Sequence, residues 1–340
     1  YRKLNHVAVP TLGGIAIFMG LSMSSVLFMP NKSMTDLRYL FAAILMMFFT
    51  GLKDDLLPIT PRKKLMVQFA AALILVLLGN FRIIHIYGLA SFTFLSDGIS
   101  IPLSILVILF LINAMNLIDG IDGLAAGLSF FVSMVLGIWF FLWGHISYAV
   151  ICMAMSGSLL AFFPFNLRNG PNKIFMGDTG SLTLGIFMAA IVIRFNELNL
   201  TTPVPYHLSQ PPLLILGLLI VPVTDTLRVF IIRIRNKRSP FSPDMNHFHH
   251  LLIRSGLTHI QSSSFLMIYT VIFTLLAFFF AHVQINITIG FVLLLSISFS
   301  AVGLVYQRSK HMKEKEISLQ SQKSDQRIST MIPEYNFSKG

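Results

Sequence analysis

Ten stretches of this 340-residue chain are apolar over enough residues to cross a hydrocarbon core, and no other property of the sequence restricts its fold so strongly. A bilayer core of about 30 Å takes roughly 17 to 25 helical residues. The candidates centre on 12–29, 37–52, 65–79, 101–118, 124–143, 146–165, 181–195, 212–234, 264–282 and 285–306. Two of them, 37–52 and 65–79, are short and need neighbouring helices or a locally thinned bilayer. Strand alternation is missing from most of the chain, so the expected fold is an all-α polytopic transmembrane bundle rather than a barrel. The exception is "RIIHIYGLASFTFL" (82–95), which alternates around Gly88 and predicts a small hairpin between helices. With 55% apolar and 11% charged residues and a mean hydropathy of +0.76, the composition excludes an ordinary soluble domain, which is roughly one-quarter charged. The single cysteine, Cys152, excludes an internal disulfide framework. Residues 1–306 read as one membrane domain. The polar stretch from 307 to 340 reads as a solvated, disordered tail. No charged-then-apolar leader is visible in "YRKLNHVAVPTLGG".

Basic residues set the expected orientation. If ten helices alternate, one side holds both termini and the loops near 53–64, 119–123, 166–180 and 235–263. That side carries 21 of the 25 Lys and Arg, leaving Lys32, Arg38, Arg82 and Arg194 on the other. The positive-inside bias makes the crowded side cytoplasmic. The net charge of +11 reflects this asymmetry and a surface facing membrane lipids, so no nucleic-acid partner is expected.

On that map the acids choose a face. Asp54, Asp55, Asp119, Asp122, Asp178, Asp225 and Asp244 all fall at or near cytoplasmic helix ends, although the chain has only 14 acids in all. Scattered solvated charge would include glutamates and both faces, so a convergent site in a cytoplasmic cleft is the economical reading. Helix capping by each aspartate separately is the bland alternative. In "NAMNLIDGIDGLAAG" (113–127) residues three apart lie about 60° from each other on a helix, so Asn116 shares a face with Asp119, and Asp119 with Asp122. Asn113 and Asp122 are half a circle apart. All four reach one site only if the helix tightens or breaks, for which Gly120 and Gly123 are placed.

Two further stretches carry phosphate chemistry. "IFMGDTGSLTLG" (174–185) sets Asp178 between glycines just before an apolar helix, whose N-terminus favours anions. An aspartate with a nearby amide oxygen suits Mg²⁺, which takes one or two carboxylates plus substrate phosphates; Mn²⁺ is the other candidate. "NKRSPFSPDMNHFHHLL" adds His247, His249 and His250 beside Lys237 and Arg238, a set better suited to phosphate oxygens than to zinc. "GLKDDLLPITPRKKL" offers Asp54 and Asp55 beside Arg62, Lys63 and Lys64, where the lysines serve either the site or a stop-transfer cluster.

Together "VPTLGG", "GLKDDLLPITPRKKLMVQF", "NAMNLIDGIDGLAAG", "FMGDTGS" and "PFSPDMNHFHH", in this order over residues 9 to about 255, resemble the polyprenyl-phosphate N-acetylhexosamine-1-phosphate transferases. "HFHH" is closer to the GlcNAc-type branch than to the MurNAc-pentapeptide branch. The resemblance implies eleven helices with the N-terminus outside, hence a first helix preceding this chain. It implies transfer of GlcNAc-1-phosphate from a UDP-sugar to undecaprenyl phosphate at the bacterial inner membrane, with release of UMP, as the first membrane step of a cell-envelope polysaccharide. It implies Mg²⁺ on Asp178 with Asn116 as second ligand, and Asp54 as the group assisting attack. Asp55 would position the lipid head, Asp119 and Asp122 would line the nucleotide pocket, and Phe175 would stack on uracil. His247, His249 and His250 would hold phosphates or the sugar, and a homodimer is expected on the same ground. An ion-coupled transporter is the alternative class, but such sites lie near the midplane in two related halves, and neither property is visible here.

Overall fold

The computed structural model describes residues 10–30, 34–89, 92–168, 170–201, 207–235, 237, 248–280, 286, 289–290 and 292–293. Its helices are α1 (Gly13–Phe28), α2 (Met34–Leu56), α3 (Pro61–Leu73), α4 (Asp97–Ile118), α5 (Leu124–Leu142), α6 (Ile146–Leu167), α7 (Gly177–Leu198), α8 (Pro211–Leu218), α9 (Ile220–Arg235), α10 (Phe248–Arg254) and α11 (His259–Phe279). The first nine predicted spans fall on these elements. Both short candidates gain length: α2 runs through the charged "KDDL" turn, and α3 continues as a π-helical turn over Ile74–Leu78. The span predicted over 212–234 is broken, since α8 and α9 meet at 76° across Leu219. Pro222 lacks the amide hydrogen that a continuous helix needs at that point, and the bend follows from it. The tenth span and the 307–340 tail lie largely or wholly outside the described residues.

Among the described residues α4, α5, α6, α7 and α11 are long and apolar enough to cross a membrane, and the bent α8–α9 pair counts as a sixth. The molecule is an all-α, multi-pass membrane protein. Helix α7 forms its axis, with 89% of its apolar window buried, and it packs against α1, α2, α4, α5 and α8. Lipid is as apolar as leucine, so helices associate here through close backbone approach and interhelical hydrogen bonds. Gly51 shows the approach: a Cβ on it would overlap the backbone of Asp178 and Thr179, so its absence lets α2 lie directly on the start of α7.

The predicted hairpin is present as a short antiparallel connection. His85 bridges Phe94, Ile86 N donates to Thr93 O at 3.0 Å, and Leu95 N donates to Ile84 O at 2.8 Å. It docks on the far end of α7, where Glu197 Oε1 accepts from Ile84 N at 3.1 Å and Asn196 Nδ2 donates to His85 O at 2.8 Å. The loops at the other end of α7, between α2 and α3, α4 and α5, and α6 and α7, come together around Asp178.

Candidate active site

Helix α2 carries Asp54 and Asp55 in its last turn and ends at Leu56, and after a four-residue connection α3 begins with Pro61, whose fixed φ suits a first helical position. The connection is held by Asp54 Oδ1, which accepts from Ile59 N at 2.7 Å. One turn into α3, Lys64 therefore faces back across α2. Its Nζ lies 3.0 Å from Asp54 Oδ2 and 3.0 Å from Asp178 Oδ2, so one ammonium joins two carboxylates from elements far apart in sequence. The three side chains are 16%, 11% and 31% exposed, enough for a ligand to reach Asp178 first.

Asp55 points the other way. Its carboxylate accepts from Asp178 N at 2.8 Å, Thr179 N at 2.9 Å and Thr179 Oγ1 at 2.6 Å, which caps the start of α7 from a neighbouring helix. A carboxylate at a helix N-terminus satisfies orphan amides and opposes the helix dipole favourably. Asp178 is thus fixed by its own backbone before its side chain does anything. Asn116, from the last turn of α4, donates Nδ2 to Asp178 Oδ1 and to Ser181 Oγ, the latter at 2.8 Å.

The break expected after Asn116 occurs. Helix α4 ends at Ile118, and α5 starts after Gly123, whose φ of +79° is a left-handed conformation that a side chain would strain. Asn116, Asp119 and Asp122 consequently line one cavity of about 470 Å³ together with Asp55, Phe175 and Asp178. Asn113 does not reach it and turns to α3 instead, with Nδ2 at 2.9 Å from Gln68 Oε1. Burial first, and then the nearby carboxylates of Asp178, Asp55 and Asp122, push the Asp119 carboxyl well above the usual carboxylate range. At the other end of the cavity Lys173 Nζ pairs with Asp122 Oδ2 at 2.6 Å, and His259 Nδ1 lies 3.5 Å from the same oxygen. Phe175 is 39% exposed, with Lys173 Nζ 5.1 Å from its ring centroid. Its backbone is clamped to the start of α1: Phe175 N donates to Pro10 O, and Gly13 N donates to Phe175 O. Asn166 ties the same loop to the α4–α5 turn by accepting from Gly123 N at 2.6 Å and donating to Ile174 O at 3.1 Å.

Among the described residues no three His, Cys, Asp or Glu side chains are placed to hold a metal ion. The cavity is lined by the carboxylates of Asp55, Asp119, Asp122 and Asp178 and the amides of Asn116 and Asn166, and Asn116 Nδ2 is bonded to Asp178 Oδ1.

The model of glycosyl transferase family 4 matches residues 37–196, the span holding every side chain of the Lys64–Asp178 centre. A Bacillus subtilis (strain 168) protein described as a probable undecaprenyl-phosphate N-acetylglucosaminyl 1-phosphate transferase is 31% identical over 313 residues, 91% of this chain and 85% of its own length. This chain belongs to glycosyl transferase family 4. Further similar proteins are the undecaprenyl-phosphate alpha-N-acetylglucosaminyl 1-phosphate transferases of Escherichia coli O157:H7, 30% identical, and Yersinia pestis, 29% identical; each match covers 77% of this chain and 70% of the relative.

In this glycosyl transferase family 4 member, five of the seven aspartates expected on one face come together: Asp54, Asp55, Asp119, Asp122 and Asp178. Asp225 stands apart on α9. It is 1% exposed and accepts from Phe248 N at 2.8 Å, anchoring the first residue of α10. The Arg228 guanidinium lies 4.8 Å over the Phe248 ring and 3.7 Å from Asp225, which fastens the same corner. His249 and His250 fall on α10, so Asp225 fixes where their helix begins; His247 and Asp244 lie outside the described residues. Lys173, Asn166 and His259 also line the cavity and are not among the residues expected there. Lys173 had a local signal, since it precedes Asp178 in the same loop. His259 had none, because only the packing of α11 brings it to Asp122.

Proposed function

We propose that this protein transfers GlcNAc-1-phosphate from a UDP-sugar to undecaprenyl phosphate, forming a polyprenyl-diphosphate-linked sugar and UMP, with the cavity facing the cytoplasm. The observation that carries this reading is the Lys64 ammonium held between Asp54 and Asp178, the latter lining a polar cavity at one end of a membrane bundle. The names of the similar proteins from Bacillus subtilis and Escherichia coli support it.

Phosphoryl transfer asks mainly for alignment and for neutralisation of charge on the phosphoryl oxygens. Lys64 is placed to trade its carboxylate partners for phosphate oxygens, which frees Asp54 to take the remaining proton from the attacking lipid phosphate. Asp178, with the Asn116 amide beside it, would hold Mg²⁺ or Mn²⁺, and the absence of a three-residue cage among the described residues fits an ion whose coordination is completed by substrate. When bound, the ion would supply charge neutralisation on the diphosphate. Asp55 serves through α7, keeping the Asp178 backbone in place. Asp119 and Asp122 line the nucleotide end, where the half-exposed Phe175 face offers a stacking surface for uracil. His249 and His250 on α10, with His247 before it, complete the reading as phosphate or sugar contacts.

An exchange assay tests this directly. Membranes containing the protein, undecaprenyl phosphate and labelled UMP are offered a panel of UDP-sugars, and metal-dependent exchange into UDP-GlcNAc is expected. Exchange with UDP-MurNAc-pentapeptide or a UDP-deoxy-amino-sugar alone would move the protein to another branch. No UMP exchange with any donor would sink the transferase reading.

A further inference from the structure

One buried polar contact has no place in this chemistry. Gln68 on α3 is 1% exposed, and its Oε1 accepts from Asn113 Nδ2 of α4 at 2.9 Å, while Asn113 Nδ2 also donates to Leu109 O at 2.8 Å. Gln68 Nε2 is buried without a hydrogen-bond partner among the described residues. Placing two amides between membrane helices and leaving one N–H unmet is costly against an apolar pair of the same shape.

The location gives the reason. Gln68 lies one turn beyond Lys64 on α3, Asn113 lies one turn before Asn116 on α4, and neither lines the cavity. Residues four and three apart on a helix share a face, so the Gln68–Asn113 bond sits directly beneath the two side chains that grip Asp178. Lys64 must meet Asp54 and Asp178 at 3.0 Å each, and α3 reaches them only from its first turn, after a four-residue connection. A directional bond one turn deeper fixes the rotation and height of α3 against α4, which apolar packing leaves free to slide.

We infer that Gln68 and Asn113 are a positioning pair that sets the Lys64 ammonium relative to Asp178 and Asn116. The pair touches no substrate and acts through Lys64. Its activity arm rests on the transferase reading, so the test carries a second readout. Gln68→Leu, Asn113→Leu, the double variant and the swap Gln68→Asn with Asn113→Gln are purified in detergent at matched thermal midpoint. Two quantities are measured: transfer kinetics, and acetylation of Lys64 by an amine-reactive reagent, followed by mass spectrometry. Each single leucine variant is expected to lower kcat on the order of ten- to a hundredfold with little change in donor KM. The double variant should be no worse than the poorer single. Lys64 acetylation should rise severalfold in all three. The swap, which keeps the total reach of the two side chains, should restore both readouts, and it remains decisive if a leucine variant does not fold. Full kcat in a folded leucine variant, unchanged Lys64 acetylation, effects that multiply in the double, or a swap as impaired as the singles would each overturn the inference. If the wild type itself transfers nothing, the functional reading fails, and the acetylation arm still decides whether the bridge places Lys64.

Discussion

At its C-terminal end α7 carries Asn196 and Glu197, with Asn199 just beyond; at its N-terminal end it carries Asp178, Thr179 and Ser181. Both ends are dense in polar side chains, but their partners differ. Around Glu197 the hydrogen bonds among the described residues are with the protein's own framework: backbone amides of Ile84 and His85, the Asn196 amide, and from Asn199 the backbone of Leu208 at 2.8 and 2.9 Å. Tyr87 closes that end by donating to Asn196 O at 2.9 Å, and burial pushes its phenol up to about 12, so it stays a donor at any physiological pH. Around Asp178 the side-chain oxygens meet one lysine ammonium and one side-chain amide, and the residue lines a cavity. Polar density in a membrane bundle is therefore no mark of a site by itself. What separates the two ends is whether the partners are backbone groups that cannot leave or side chains that a substrate can replace.

Three substitutions test that distinction, beginning with the largest effect. Asp178→Asn keeps the size and the helix start but removes the charge that Lys64 answers, and transfer activity is expected to fall by at least about a hundredfold. Its thermal midpoint should barely move, since a charge in the first helical turn contributes only about 0.5 kcal/mol. Near-normal turnover at saturating metal would reduce Asp178 to a helix-end residue. Glu197→Leu should do the reverse. Two backbone N–H groups and an amide lose their acceptor, at about 3 kcal/mol in total, while activity per folded molecule stays within about threefold of wild type. A large loss of kcat with unchanged stability would give the Glu197 end a function that its geometry does not display.

The smallest effect belongs to Asp119. Its carboxyl is raised in the folded protein, chiefly by burial, so the fold prefers it protonated. Between the ordinary carboxylate value and the raised one the unfolded chain is the more ionised state, and stability falls as pH rises through that window. Above the raised value the loss is complete. Asp119→Asn removes the penalty, so its thermal midpoint should exceed wild type at about pH 8 and converge with it toward about pH 4, even as nucleotide binding weakens. A variant less stable than wild type at the higher pH would mean that ionised Asp119 is held by partners rather than strained by neighbours.

Much of this was legible without coordinates. Run length and missing alternation determined the helices, and the one alternating stretch, 82–95, forms the short antiparallel connection. Spacing in "NAMNLIDGIDG" required a break if its polar residues were to share a site, and the break falls where Gly120 and Gly123 allow it. These properties are local, fixed by what each segment can bury and by the turn angle of a helix. The bend at Leu219 was less visible, because the hydropathy of 212–234 is continuous and only Pro222 interrupts the backbone ladder.

Partnership was decided by packing alone. Asp54 and Asp55 are adjacent in sequence and look alike, yet one shares an ammonium with Asp178 and the other caps the helix that Asp178 begins. Neighbouring positions on α2 differ by about 100° of rotation, so which carboxylate faces α3 and which faces α7 depends on how α2 is turned in the bundle. Lys64 could equally have been a surface charge, and His259 had no reason to be compared with Asp122 until α11 brought them within 3.5 Å. Sequence alone was enough to say which residues carry charge and that most of the aspartates gather at one end of the bundle. The tertiary structure decided who meets whom, because a helix fixes the spacing of its own side chains but its rotation and depth against a neighbour are set only when the two are packed.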